Sequence, residues 1–287
     1  MPRVSVVIPV YNRPKKILEA VASVQAQTYT DWEMLLVDDG SKDSTPQVLK
    51  ELEQKDKRIR AIFQENRGAQ AARNAGIRQA RGSWIAFLDS DDWYLPRSLQ
   101  LRLECAERES ASVIHSGCDK IKSDGTHVIY SDRLQGNIYK RVLCAAAPMF
   151  QGLLVRKTAL EEIGFLDERI VAYQEWDTAI RLAKRFPFGF VPEPTFIYDC
   201  RGEDTISRQL GRNGQGYEQI IRKHRWEMLK NLGPFGLAKH YRKAAEWYER
   251  AGDRDSLDRC LRWWRICRLF ALAHWLKRMM NQAVGGC

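Results

Sequence analysis

Two aspartates separated by one residue follow an apolar stretch in the first third of the chain. Asp89-Ser90-Asp91 comes directly after residues 84–88, and a third aspartate and Pro96 follow. Paired carboxylates at a strand end can hold Mg²⁺ or Mn²⁺ when a diphosphate supplies further oxygen ligands. An Asp-x-Asp sequence in a loop is also typical of a turn or a helix cap, but this setting favours a metal site.

A second acidic pair, Asp38-Asp39, ends another predicted strand at residues 33–37. Residues 43–45 have the side chains that cap helix starts, and we assign them only that role. Two adjacent carboxylates are harder to explain as caps. One of them can accept a hydrogen bond from a ligand N–H, such as the imide of uracil. The pair therefore indicates a contact with a nucleotide base.

Two further groups stand near the starts of predicted helices. Arg73 lies one turn into a helix at residues 68–80, where it can reach a base or a phosphate; a solvated surface arginine is the alternative. Gln174-Glu175-Trp176-Asp177 opens a helix at residues 173–185. Its acidic side chains fit helix capping, or a general base that removes a proton from an acceptor hydroxyl.

Alternating strand and helix patterns must position these residues. Strands are predicted at residues 3–10, 33–37, 58–63 and 83–88, with helices between them. This order predicts a parallel sheet covered by helices on both faces. Both acidic pairs follow strands, and ligands bind at the carboxyl ends of strands in such sheets. We therefore expect the two pairs to be neighbours in space.

Later residues give a mixed pattern. A hairpin is predicted from residues 112–117 and 126–131, and further strands at 151–155, 188–191 and 195–200. Helices are predicted over residues 214–231, 235–251 and 255–281.

The charge of the chain is concentrated near its carboxyl end. The 287 residues carry a formal charge of +10 and are 44% hydrophobic, which excludes a mainly disordered or collagen-like protein. Residues 201–287 hold 18 basic and nine acidic side chains and five of the nine tryptophans. We therefore predict a boundary near residue 205, followed by a basic helical extension at residues 206–287.

Three features of the sequence predict the cellular compartment of the protein. The seven cysteines are scattered and form no Cys-x-x-Cys pair, which indicates reduced thiols and no zinc site. The first residues lack the pattern of a signal peptide, and no apolar run is long enough for a membrane span. These features favour a cytoplasmic protein.

Arginines recur every three residues at 259, 262, 265 and 268, close to tryptophans. Residues 255–281 form either an amphipathic helix packed on the rest of the chain or an interfacial helix on anionic lipid. The second interpretation predicts a peripheral position on the inner face of the cytoplasmic membrane.

Residues 1–205 resemble family 2 of the glycosyltransferases, which have the GT-A fold, a Rossmann-like α/β/α sandwich. The resemblance rests on residues 4–12, 37–45, 65–68, 72–76, 87–92 and 175–182, in that order. It implies metal-dependent, inverting transfer of a sugar from a nucleotide donor, with UDP expected, to a hydroxyl of a glycan or lipid-linked acceptor, as in surface polysaccharide biosynthesis. The implied cofactor is Mn²⁺ or Mg²⁺. The resemblance also implies a nucleotide-sugar-binding half at residues 1–110 and an acceptor-binding half at residues 111–205.

The resemblance also implies roles for residues. The implied nucleotide-binding residues are Pro9, Tyr11, Asn12, Asp38, Asp39, Arg73, Asp89 and Ser90. Pro9 and Tyr11 lie beside the base, and Asp39 pairs with it. Asp91 is the principal metal ligand, and Asp89 supports it or binds the ribose.

The sequence departs from the family pattern at two places. At the position of the family's catalytic base, usually an aspartate, this sequence has Glu175, followed by Trp176. Asp177 is the second candidate for the catalytic base. Arg201 stands where many relatives have a metal-binding His; it cannot bind a metal but can neutralise a diphosphate.

These departures leave room for a non-catalytic sugar-nucleotide-binding module. A nucleic-acid-binding protein is disfavoured because no recognised motif of that class is present. A nucleotidyltransferase is disfavoured by Pro9-Val10-Tyr11-Asn12, where a glycine-rich phosphate loop is expected. The sequence leaves the oligomeric state open.

Overall fold

The computed structural model describes residues 1–144, 147–201 and 210–284, with side chains described as far as residue 272. The chain divides into two compact units. The first, here called the sheet unit, comprises Met1–Tyr139, Ala147–Glu168 and Thr178–Thr205. The second, the helical unit, comprises Lys140–Ala146, Arg169–Asp177 and Ile206–Cys287. The boundary predicted near residue 205 lies outside the described residues.

The described residues of the sheet unit form one mixed sheet. Its strands are β1 Val4–Val10, β2 Trp32–Asp39, β3 Ile59–Gln64, β4 Trp84–Phe87, β5 Trp93–Tyr94, β6 Val113–Ile121, β7 His127–Tyr130, β8 Leu154–Arg156 and β9 Phe188–Asp199. They follow the order β3-β2-β1-β4-β8-β6-β9-β5, and β7 pairs with β6.

Helices connect the strands and form the rest of the described chain. They are α1 Lys16–Gln25, α2 Thr45–Lys55, α3 Ala69–Gln79, α4 Ser98–Glu109, α5 Tyr139–Leu143, α6 Lys157–Glu162, α7 Gln174–Ala183, α8 Leu210–Ala251 and α9 Arg254–Val284. A short 3₁₀ turn occupies Phe150–Gly152.

The four strands predicted from the first 110 residues form the parallel part of the sheet. β1 pairs in parallel with β2 and β4, and β2 pairs in parallel with β3. Every residue of β2 is buried, as expected for a strand with helices on both faces. The carboxyl ends of these strands share one edge, here called the strand edge, and the predicted parallel α/β arrangement is confirmed.

The second part of the sheet is mixed. β8 is antiparallel to both β4 and β6, and β6 forms the predicted antiparallel hairpin with β7. Two closing strands were predicted at residues 188–191 and 195–200, but β9 runs continuously through both. Its parallel register with β6 shifts around Gly117, and this irregularity accommodates the prolines between the two predicted segments.

The described part of the helical unit is built mainly from α8 and α9. α8 breaks at Gly233, which has a left-handed φ of +70° and precedes Pro234. This break falls between the two helices predicted at residues 214–231 and 235–251. α9 buries Cys260 and Cys267, and its Trp263 stacks on Tyr241 of α8. No described helix is long and apolar enough to cross a membrane.

Candidate active site

The loops after β1 and β2 are joined at the strand edge. The backbone N–H of Asn12 donates to Ser41 Oγ, and the Asn12 side chain accepts from the N–H of Lys42, both at 2.9 Å. Asn12 has a left-handed φ of +51°, a conformation that asparagine tolerates better than most residues. These bonds fix the loop that begins with Pro9 and carries Tyr11, whose side chain is 43% exposed.

Asp38 and Asp39 end β2, and both are buried. Asp39 Oδ1 accepts hydrogen bonds from Gln64 Nε2 and from the backbone N–H of Arg67, and its Oδ2 accepts from the N–H of Gly68. A carboxylate has about four acceptor positions, so Asp39 keeps capacity for one more donor. Asp38 Oδ2 accepts from the N–H of Ser41, while its buried Oδ1 has no partner among the described residues.

Arg73 is buried on α3 and faces the acidic group after β4. α3 lies close to the sheet: a Cβ added at Gly76 would come within 2.5 Å of the Val7 side chain. From this position Arg73 donates to Asp89 Oδ1 at 2.5 Å, and its guanidinium lies over the ring of Phe150. The alternative of a solvated surface arginine is therefore wrong.

Three aspartates cluster after β4. Gln151 donates from one amide nitrogen to both Asp89 Oδ2 and Asp92 Oδ2. Asp92 Oδ1 also accepts from the backbone N–H of Asp199 at 3.1 Å. Arg13 Nη2 lies 3.9 Å from Asp91 Oδ2. Ser90, between the first two aspartates, is buried.

The cluster carries more negative charge than its surroundings compensate. Burial and the charge of Asp89 raise the pKa of Asp91, although Arg13 and Lys16 act in the opposite direction. Burial, together with the charges of Asp89 and Asp91, raises the pKa of Asp92 well above its ordinary value. Closely spaced carboxylates disfavour each other's ionised form, and a bound cation would relieve this repulsion.

A divalent cation fits this donor set. Carboxylate oxygens are the ligands that Mg²⁺ and Mn²⁺ prefer. Across the residues that the structure describes, no three His, Cys, Asp or Glu side chains are arranged to hold a metal ion by themselves. The fit to a divalent cation therefore rests on the chemistry of the carboxylate oxygens and not on a complete set of protein ligands.

Gln151 and Arg102 were not recognised from the sequence. Arg102 is fully buried, and its Nη1 donates to the carbonyls of Gln151 and Leu153. It thereby fixes the 3₁₀ turn from which Gln151 reaches the aspartates. Gln151 was assigned to a strand, and about 60 residues separate it from the aspartates, so no local pattern could have revealed the contact.

Arg201 lies beyond the end of β9 and is paired with a residue of the same chain segment. Its Nε and Nη2 donate to the two carboxylate oxygens of Asp199 at 2.9 and 3.2 Å. This pairing lowers the pKa of Asp199. The guanidinium remains about half exposed, so it keeps donors that can meet an anion from solvent.

In the helical unit, the first turn of α7 places the two candidate bases in different environments. Asp177 is 1% exposed, and its Oδ1 accepts from His224 Nε2 at 2.7 Å and Lys223 Nζ at 2.8 Å. Glu175 is only partly buried. Its charge and the burial of Tyr173 raise the pKa of that phenol to about 12, with burial the larger cause.

Trp176 anchors this turn in the helical unit. Its side chain is 2% exposed, and its indole N–H donates to the carbonyl of Val142. The ring packs against Tyr217 and His240, with centroids 4.9 and 5.6 Å away. Trp176 is therefore a core residue. His224, Lys223 and this aromatic cluster were missed because they lie on α8, far along the chain.

Solved structures with similar folds place the protein in the GT-A class. The structure of S. aureus TarS 1–349 in complex with UDP-GlcNAc aligns with a TM-score of 0.64 at 16% identity, covering 92% of this chain and 92% of that one. Mannosyltransferase PcManGT from Pyrobaculum calidifontis, in complex with GDP-Man and Mn²⁺, aligns at 0.61 and 20% identity, covering 96% and 80%. At these identities the likeness shows the fold.

The family follows from the sequence match. Residues 5–161, more than half of the chain, match the family model described as glycosyl transferase family 2, and the chain belongs to that family. An uncharacterized glycosyltransferase of Rickettsia felis is 39% identical over 143 residues, 49% of this chain and 24% of the relative. Chondroitin synthase of Escherichia coli is 30% identical over 245 residues, which cover 81% of this chain and 35% of the relative. The chain spans about a quarter to a third of these curated relatives.

Proposed function

We propose that this chain is an inverting glycosyltransferase that transfers a sugar from a nucleoside diphosphate donor to a hydroxyl group. The observation that carries the proposal is the cluster of Asp89, Asp91 and Asp92 at the strand edge of a GT-A sheet, where burial and the neighbouring carboxylates raise the pKa values of Asp91 and Asp92. TarS has been solved with UDP-GlcNAc and PcManGT with GDP-Man, which supports a donor of this class.

The base of the donor has acceptors at the end of β2. Asp39 retains one acceptor position and Asp38 has a buried oxygen with no partner among the described residues, so an imide N–H would satisfy either. A uracil imide matches this requirement, and we propose a UDP-sugar. Pro9, Tyr11 and Asn12 belong to the adjoining loop and would contact the base from the side.

The diphosphate requires a cation at the acidic cluster. Asp91 would ligate Mn²⁺ or Mg²⁺, with Asp89 supporting it or binding the ribose through its remaining acceptor capacity. The bound ion would supply electrostatic stabilisation of the charge that develops on the leaving diphosphate. Arg73 holds Asp89 in place, and Arg201 offers exposed donors to the phosphates.

Glu175 is the better candidate for the base. The carboxylate of Asp177 is buried, paired with Lys223 and hydrogen-bonded to His224, so it is poorly suited to accept a further proton. Glu175 is partly exposed on the same turn. It would take the proton from the acceptor hydroxyl, whose oxygen attacks the anomeric carbon on the face opposite the nucleotide; the new glycosidic bond forms as the bond to the diphosphate breaks.

The acceptor is proposed to be a glycan or a lipid-linked saccharide in the synthesis of a surface polysaccharide. The support is the relationship to chondroitin synthase, which aligns with 81% of this chain. A non-catalytic sugar-nucleotide-binding module remains the second candidate, since Glu175 and Arg201 both depart from the family pattern.

The test begins with a thermal-shift screen of UDP- and GDP-sugars with and without Mn²⁺. Donors that stabilise the protein are then incubated with candidate saccharide acceptors, and glycosylated product and released nucleotide are measured. We expect Glu175→Gln to lower kcat on the order of 100-fold or more while donor affinity is kept. Glu161→Gln, an exposed glutamate of α6, is the matched control. Donor binding without transfer or donor hydrolysis by the wild type would favour the non-catalytic module.

A further inference from the structure

One surface of α9 in the helical unit is apolar and open to solvent. Leu269 is 68% exposed, Phe270 67%, Leu272 54% and Ile266 40%. A soluble helix usually buries its large apolar side chains, and single exposed ones need no explanation, but four within seven residues form a patch. This patch, Ile266 with Leu269, Phe270 and Leu272, is here called the outer apolar stripe.

Most of the stripe lies on the side of α9 that faces away from the buried cysteines. At 100° per residue, the buried Cys260 and Cys267 point to one side of α9. Leu269 and Leu272 lie about 160° and 140° around the helix from Cys267, Ile266 about 100°, and Phe270, at about 60°, stands at the margin of the packed face. The packing between α8 and α9 therefore satisfies one face of the helix and leaves the stripe without a partner among the described residues.

Basic side chains interleave with the stripe. Arg262, Arg265 and Arg268 are exposed and occupy the same outward half of the helix. Asp258 is the last acidic residue of the given sequence, so α9 carries no countercharge beyond it. The remaining arginine of the series, Arg259, differs because it is paired through two nitrogens with the buried Glu218.

The exposed apolar and basic side chains together indicate what kind of surface binds the stripe. Two copies meeting at the stripe through a two-fold axis would bring three arginines of each against three of the other, and no acidic residue follows Asp258 in the given sequence to balance them. A bilayer with anionic headgroups offers both an apolar layer and phosphates at the depth that arginine reaches. Charge complementarity therefore favours lipid over a second copy of the chain.

We propose that α9 lies in the plane of an anionic membrane surface, with Ile266, Leu269, Phe270 and Leu272 entering the acyl boundary and Arg262, Arg265 and Arg268 contacting lipid phosphates. The proposal concerns attachment and is independent of the sugar-transfer reaction. Because α9 is held on α8 by its inner face, docking needs no unfolding of the helical unit.

The test uses the full chain and sedimentation with vesicles of phosphatidylcholine, alone or with about one third phosphatidylglycerol. We expect wild-type protein to bind the anionic vesicles and to be released by salt. Leu269→Gln with Phe270→Gln should weaken binding at least about tenfold. Replacing Arg262, Arg265 and Arg268 together with Gln should weaken it on the order of 100-fold, since each basic residue near such a surface contributes about fivefold.

A matched control and a measurement of mass separate the alternatives. Ile129→Gln changes an aliphatic residue of β7 that is 59% exposed in the sheet unit, and it should bind vesicles like the wild type. Circular dichroism checks that each variant is folded. Equal vesicle binding by wild type and the Leu269/Phe270 variant would overturn the proposal. The proposal would also be overturned if free phosphate competed for the protein as effectively as anionic vesicles do. A dimer in solution that the same variant abolishes would overturn it too.

Discussion

Asp92 at the strand edge and Asp177 in the first turn of α7 are both buried, but they have different partners. Asp177 is 1% exposed and accepts from two basic side chains, Lys223 and His224. Asp92 is 2% exposed, and it accepts from two neutral groups, the Gln151 amide and a backbone N–H. Burial and the charges of Asp89 and Asp91 raise the pKa of Asp92, against the effect of these two hydrogen bonds.

The difference separates a carboxylate that is paired within the fold from carboxylates that repel one another. A buried charge is tolerated when its countercharge is part of the structure, as for Asp177. In the acidic cluster the neighbouring carboxylates disfavour each other's ionised form, and the proposed cation would supply a countercharge. Substitutions in the two regions should therefore have opposite effects on stability and activity.

The largest effect is expected for Asp91→Asn. Removing the charge should lower kcat/KM for sugar transfer by on the order of 1000-fold, because the site loses a cation ligand and its electrostatic contribution. The free energy of unfolding should stay constant or rise, since a repelled carboxylate becomes neutral. Product formation and urea denaturation check the two parts. If Asp91→Asn lowered both the free energy of unfolding and the activity, the strand edge would not differ from the first turn of α7 in the way described.

Asp177→Asn is expected to act mainly on stability. It leaves Lys223 and His224 facing a neutral amide, which should lower the free energy of unfolding by about 3 kcal/mol or more. Urea denaturation followed by tryptophan fluorescence, which reports on the neighbouring Trp176, measures the loss. Glu175→Gln on the same turn is the control and should change stability by about 0.5 kcal/mol or less. A stable but inactive Asp177→Asn protein would instead make Asp177 the base.

Acid should destabilise the helical unit through His240. Burial lowers the pKa of His240 to about 4 from 6.5, so the folded protein binds this proton less readily than the unfolded chain. The contribution of neutral His240 to the free energy of unfolding is therefore fully present above about pH 6.5. It is lost as the pH falls towards 4, by about 3 kcal/mol. His240→Gln should flatten that part of the pH profile of unfolding. An unchanged profile would show that acid acts elsewhere, for instance at His115, whose pKa is also lowered to about 4.

The smallest effect is expected at the rim of the strand edge. Arg13 lies 3.9 Å from Asp91 and lowers its pKa slightly against the larger effects of burial and Asp89. Arg13→Gln should leave the cluster more negative and tighten Mn²⁺ binding about two- to fivefold, as expected for removing a partly exposed ion pair. Isothermal titration calorimetry with Mn²⁺ measures this. Weaker binding would indicate that Arg13 supports the site rather than competing with the ion.

The sequence predicted the parallel half of the sheet well because its strands are continuous apolar runs ended by polar turns. Residues 84–88 followed by Asp89 show both features, and so do residues 33–37 followed by Asp38. β5 was missed because its two residues, Trp93 and Tyr94, are too few to show a period. β9 was divided in two because Pro192 and Pro194 interrupt the pattern.

The partners of the candidate site could not be predicted in the same way. Asp89 and Asp177 were identified by their positions at a strand end and a helix start, which are local features. Gln151 and His224 contact them across 62 and 47 residues. Neither residue type is unusual where it stands in the sequence. Only the folded chain shows which side chains contact each carboxylate.

The fully buried Arg102 has a consequence for how distant changes can reach the strand edge. Its Nη1 holds the carbonyls of Gln151 and Leu153, and its other two nitrogens donate to the carbonyl and the hydroxyl of Ser98 in α4. The position of Gln151 beside the aspartates is therefore set in part by the first turn of α4. A displacement of that helix would be transmitted to the acidic cluster through a single side chain.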